Sequence, residues 1–81
     1  MSFINILLIK DGEPINMQAK NDMMFAELAF KYFEKYNVNQ DIEKQKFIYN
    51  SIEVIPDTYK TLDELNIYNG SRIEVIGEND I

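Results

Sequence analysis

Asp63 and Glu64 stand side by side in "TLDEL" and are the nearest approach in this chain to a paired acid and base. A working carboxylate pair must converge on one substrate with its two pKa values pushed apart. Adjacent residues of a helical turn point about 100° away from each other, and Glu64 follows Thr61 at the spacing of a capping box. Both carboxylates are therefore read as capping and solvation. The sequence has no cysteine and no histidine, so thiolate nucleophiles, thiolate metal sites, the commonest metal ligand and the usual neutral-pH base are all missing. Its three glycines are isolated, which leaves no phosphate-cradling loop. No catalytic residue, metal ligand or cofactor is expected, and the function is sought outside enzymology.

The totals narrow the search further. Eighty-one residues make one domain with a small core. Fourteen acidic against eight basic residues give a formal charge of -6, which would repel nucleic-acid phosphates and anionic membranes alike. No apolar run approaches a bilayer-spanning length, and "MSFINILLIK" lacks the marks of a secretory signal. An intracellular protein, nuclear or cytoplasmic, with protein partners and no direct contact to nucleic acid or membrane is the expectation, and the isolated chain is expected to be monomeric.

Period-two alternation in "FINILLIKDGEPINMQAK" predicts a β-hairpin. Ile4, Ile6 and Leu8 share a face with Ile15, Met17 and Ala19, Asp11-Gly12 makes the turn, and Pro14 suits an edge strand. "NDMMFAELAFKYFEKYNV" has Asn21 or Asp22 placed as N-cap and Phe25, Leu28, Ala29, Tyr32 and Tyr36 at helical spacing. "KFIYNSIEV" reads as a second hairpin turning at Asn50-Ser51, with Phe47 and Tyr49 on one face and Lys46 and Ile48 on the other. "TLDELNIYNG" predicts a short capped helix ended by Asn69-Gly70, and "SRIEVI" a last strand with Ile73 and Val75 inward. The order β-β-α-β-β-(short helix)-β is an α+β arrangement: one mixed sheet with one helix packed on one face, and the other face open. Residues 1–77 form the domain and 78–81 a short flexible acidic tail.

These stretches, in this order, resemble the ubiquitin-like β-grasp family, and SUMO-like domains more than ubiquitin itself. The likeness runs from Ile4 to Ile76: "INILL" with "DGEPINMQAK" is similar to the opening hairpin, "FAELAFKYFEKYNV" to the SUMO helix, "KFIYNS" to the third strand and turn, and "TLDELNIYNGSRIEVI" to the short helix and final strand. Conjugated members carry a C-terminal diglycine on an extended arm. Here Gly77 is followed by Glu78-Asn79-Asp80-Ile81, so the resemblance implies a non-conjugated domain in which the body does the work.

Three surfaces are candidates. On the sheet face turned from the helix, Leu7, Ile48 and Ile76 are expected to form a contiguous apolar patch with Lys46 and Glu74 beside it, resembling ubiquitin's recognition patch. On the helix, Phe30 points round toward Glu27 and Glu34, with Phe33 on the flank. The groove between helix and second strand resembles the strand-accepting groove of SUMO-like domains, with Lys20 and Lys31 as basic positions. The leading expectation is a non-covalent protein interaction module docking on the sheet face, within a ubiquitin or SUMO pathway or as an adaptor in a larger assembly. The rivals are a modifier attached or processed unconventionally, and a structural subunit.

Overall fold

The computed structural model describes residues 2–36 and 45–77; the acidic tail at 78–81 and the end of the expected helix at Asn37-Val38 lie outside the described residues. Strands β1 (Phe3–Lys10) and β2 (Glu13–Lys20) precede helix α1 (Phe25–Lys35), followed by β3 (Lys46–Tyr49), β4 (Ile52–Val54) and β5 (Arg72–Ile76). They make one mixed sheet in the order β2-β1-β5-β3-β4, with β5 central and parallel to β1. Two hairpins build its halves. Lys10 pairs with Glu13 across Asp11-Gly12, and Tyr49 with Ile52 across Asn50-Ser51. All four turn residues have positive φ, between 52° and 80°, the backbone that matches a tight hairpin to strand twist.

Alternation sorts the faces as expected. Ile4, Ile6, Leu8, Met17, Ala19, Phe47, Ile73 and Val75 are buried beneath α1, whose Phe25, Leu28, Ala29, Tyr32 and Phe33 complete the core with Leu62 and Ile67. Phe47 is the hub. Its ring meets Phe25 edge-on at 5.3 Å and 87°, and it also contacts Phe33 at 5.9 Å and Tyr32 at 6.3 Å, geometries favoured by aromatic quadrupoles.

The helix differs from expectation at both ends and on one flank. Its N-cap is Met24, whose backbone N–H donates to Glu27 Oε1 at 3.4 Å. Asn21 serves elsewhere: its Oδ1 accepts the Ser2 N–H at 3.1 Å and its carbonyl accepts the Asp63 N–H at 3.1 Å, tying the chain start and the later turn together. The first helical N–H groups, of Phe25 and Ala26, donate to the carbonyls of Lys60 and Thr58, each at 2.9 Å, so another segment satisfies donors that a side-chain cap would otherwise take. Tyr36 is 43% exposed and Phe33 only 6%. The apolar stripe is thus rotated toward Phe33 relative to the expected line through Tyr36.

The expected short helix is a single turn. Thr61 N–H donates to Glu64 Oε1 at 2.9 Å and Glu64 N–H to Thr61 Oγ1 at 3.1 Å, a reciprocal capping box. Asn66, at φ 59°, ends the turn, and Ile67 N–H returns to the Leu62 carbonyl at 2.9 Å. These bonds, the Thr61 backbone donor first, hold the Glu64 carboxyl below the ordinary glutamate value. Glu64 is a capped, exposed anion, and it forms no acid–base pair with Asp63.

Candidate sheet-face interface

The sheet face turned from α1 carries the second residue of each alternating pair. One row crosses all five strands: Pro14, Ile9, Glu74, Ile48 and Glu53 are successive register partners from β2 to β4. Leu7 sits one step along, opposite Arg72 on β5 and Asn16 on β2. At the other end of β5, Ile76 pairs with Lys46. Leu7, Ile9, Ile48 and Ile76 are each half-buried, while Lys46, Arg72 and Glu74 are exposed.

All five residues expected on this face, Leu7, Lys46, Ile48, Glu74 and Ile76, are brought to it. Their arrangement differs from a contiguous apolar patch. Strands lie about 4.8 Å apart, so Ile9 and Ile48, each one strand from Glu74, stand about twice that distance from each other, and the central strand runs a polar seam of Arg72 and Glu74 between two apolar margins. A concavity of about 650 Å³ spans the seam, lined by Leu7, Ile9, Pro14, Ile48, Arg72 and Glu74 with the turn residues Gly12, Asn50 and Ser51. The hairpin turns lie at opposite ends of the sheet, so the hollow runs diagonally between them. Ile9 and Arg72 were absent from the expected set. Period-two alternation from Leu7 and Glu74 would have found both.

The groove candidates fare differently. Lys20 pairs with Phe3 in the hairpin register and places its Nζ 5.6 Å from that ring's centre. Phe3 belongs to the outward parity of β1, so Lys20 reads the sheet's open face and not the groove beside the helix; even-numbered β2 residues point outward and odd-numbered ones inward. Lys31 does line the hollow between α1 and β2, with Met17, Gln18, Glu34 and Lys35. Phe33 is a core residue and offers its edge only as the floor of a second hollow. Phe30 is 60% exposed, flanked but left uncovered by the Pro56-Asp57 corner.

Among the described residues no group of three or more histidine, cysteine, aspartate or glutamate side chains is gathered as a metal site, and no helix is long and apolar enough to cross a membrane. No family model matches the sequence, and no curated protein matches it. Solved structures do. A protein designed de novo on the basis of ubiquitin is 30% identical, with a TM-score of 0.73, over 94% of this chain and 89% of that one. The ubiquitin-like domain of yeast Ddi1 is 16% identical with a TM-score of 0.80, over 94% of this chain and 90% of that one. ATBAG1, solved in complex with HSP70, is 18% identical with a TM-score of 0.75 over 91% of this chain and 40% of that longer one. With five strands in the order β2-β1-β5-β3-β4 under one helix, these likenesses place the chain in the ubiquitin-like β-grasp family.

Proposed function

We propose that the chain is a protein-protein interaction module that docks a partner non-covalently on the open sheet face. The observation that carries this reading is the Ile9-Glu74-Ile48 row inside an outward concavity, with Leu7 extending the β1 margin and Ile76 standing at the end of the β5 seam. Apolar side chains on both sides of a charged seam suit an amphipathic helix laid along β5. Its aliphatic residues would bury against Ile9 and Ile48, and its polar residues would meet Arg72 and Glu74. Such a contact buries about 300–500 Å² per partner, below the roughly 800 Å² of a standard interface, and micromolar affinity follows.

The partner is a component of a ubiquitin or SUMO pathway inside the cell, or a neighbour in a larger assembly. Support for a protein partner comes from the fold shared with domains such as the one in ATBAG1, a protein captured with HSP70. A relation to SUMO-like domains in particular is supported by the sequence pattern of the helix alone.

Ile48→Asp tests the reading. The side chain is half-buried on the open face, so the variant should keep the circular dichroism spectrum of the parent while losing at least about tenfold in partner retention, since a buried unpaired carboxylate costs several kcal/mol at an apolar interface. Equal retention of the same partners by a folded variant would remove the sheet face from consideration.

A further inference from the structure

Asn69-Gly70 is the one asparagine-glycine pair in the sequence, and both residues are exposed in the turn that leads into β5. A glycine has no Cβ to shield its amide nitrogen, so this is the asparagine side chain most open to attack by its own main chain. The chemistry is deamidation. The Gly70 nitrogen, after losing its proton to hydroxide, bonds to Asn69 Cγ; the bond from Cγ to Nδ2 breaks, and that nitrogen leaves as ammonia with a proton taken from water. Water then opens the resulting succinimide at either carbonyl, giving aspartate or isoaspartate.

The fold opposes this reaction at three points. The Gly70 N–H donates to the Asn5 carbonyl at 2.7 Å, so the nitrogen that must lose its proton is held in a short hydrogen bond. Asn69 Oδ1 accepts the Asn5 N–H at 2.8 Å, from a residue 64 positions earlier in the chain, which fixes the side chain against β1. The backbone is also turned the wrong way. Ser71 N–H closes a four-residue turn on the Tyr68 carbonyl at 3.0 Å, with Gly70 at φ 87° and Asn69 outside the left-handed region. That is a type II turn, which sets the residue before the glycine near ψ +120°. Ring closure needs Asn69 Cβ eclipsed with the Gly70 nitrogen about the Cα–C bond, roughly 120° of rotation from that position. Tyr68 N–H, donating to Ser71 Oγ at 2.8 Å, braces the turn from within.

We propose that Asn69-Gly70 is a latent deamidation site that the junction of β1 with the start of β5 keeps closed, so that a chain is converted only while this junction is open. Aspartate preserves the acceptor oxygen and the spacing of the main chain. Isoaspartate does not: it adds one carbon to the main chain at residue 69, between the acceptor and the donor that Asn5 engages together. The next contact, from Leu7 N–H to the Ser71 carbonyl at 2.9 Å, then loses its anchor. Conversion to isoaspartate therefore marks, irreversibly, a chain whose β1–β5 junction has opened.

The test incubates the full chain at mildly alkaline pH, folded in buffer or unfolded in guanidinium chloride. The peptide carrying residue 69 is followed by mass spectrometry, with aspartate and isoaspartate separated by chromatography. The unfolded chain should gain about one dalton at Asn69, and the folded chain should do so at least about tenfold more slowly, because the reaction waits on opening. Ser71→Ala removes the brace on Tyr68 and should raise the folded-state rate at least about threefold while leaving the circular dichroism spectrum unchanged. Equal rates in the folded and unfolded chains, or no acceleration by Ser71→Ala, would show that the junction does not guard the bond and would overturn the proposal. An unfolded chain that stays unconverted would overturn it too, as would a purified isoaspartyl chain that refolds with the parent's unfolding midpoint.

Discussion

Tyr49 shows how single groups hold this small fold together. Its hydroxyl donates to the Asn66 carbonyl at 2.6 Å and lies 3.2 Å from Ser71 Oγ, joining β3 to the turn before β5. Tyr49→Phe removes that link and should lower stability by about 0.5–1.5 kcal/mol, read from urea unfolding midpoints at unchanged slope. Phe47, packed by three aromatic rings, is a different case. Phe47→Ala leaves a cavity at the centre of the core and should cost about 3–5 kcal/mol, enough to unfold much of the population of so small a domain. Glu64 titrates below the ordinary glutamate value because Thr61 donates to its charged form. A carboxyl lowered in the fold contributes stability above its unfolded pKa and loses it as the pH falls through the folded one. Thr61→Ala removes the hydroxyl half of the capping box, so the Glu64 midpoint followed by NMR should move up, and the part of the stability that Glu64 loses on acidification should become smaller and be complete at higher pH.

At the scale of elements, the second hairpin carries a correctable strain. Asn50 and Ser51 both have positive φ, at 52° and 66°. Asparagine tolerates that region, while serine pays for its Cβ there. Ser51→Gly should therefore stabilise the domain by about 0.5–1 kcal/mol, seen as a higher melting temperature. The hairpins were legible in the sequence because period-two alternation and the residues Asp11-Gly12 and Asn50-Ser51 are local signals. The capping box at Thr61 and Glu64 was legible for the same reason. The start of the helix was not: its first donors are met by carbonyls of Thr58 and Lys60, more than thirty residues downstream, and no local pattern announces such a partner. The placement of Phe33 in the core and Tyr36 outside it depends on where the sheet lies beneath the helix, which periodicity leaves free by a fraction of a turn. On the open face, the alternation of each strand was readable, but the pairing of Ile9 and Ile48 across Glu74 required the strand order and register.

For the molecule as a whole, the sheet divides two surfaces of different character. One is a wide hollow with apolar margins and a polar seam; the other is a smaller, apolar hollow beside α1. On the proposed reading, the first of them is where a protein partner docks. The most direct measurement is amide shift mapping of the labelled chain on addition of a purified partner recovered through the wild-type domain. The largest shifts should fall on Leu7, Ile9, Ile48, Glu74 and Ile76, and they should vanish in Ile48→Asp. Shifts confined to other surfaces, with that row unmoved and the partner bound, would contradict it.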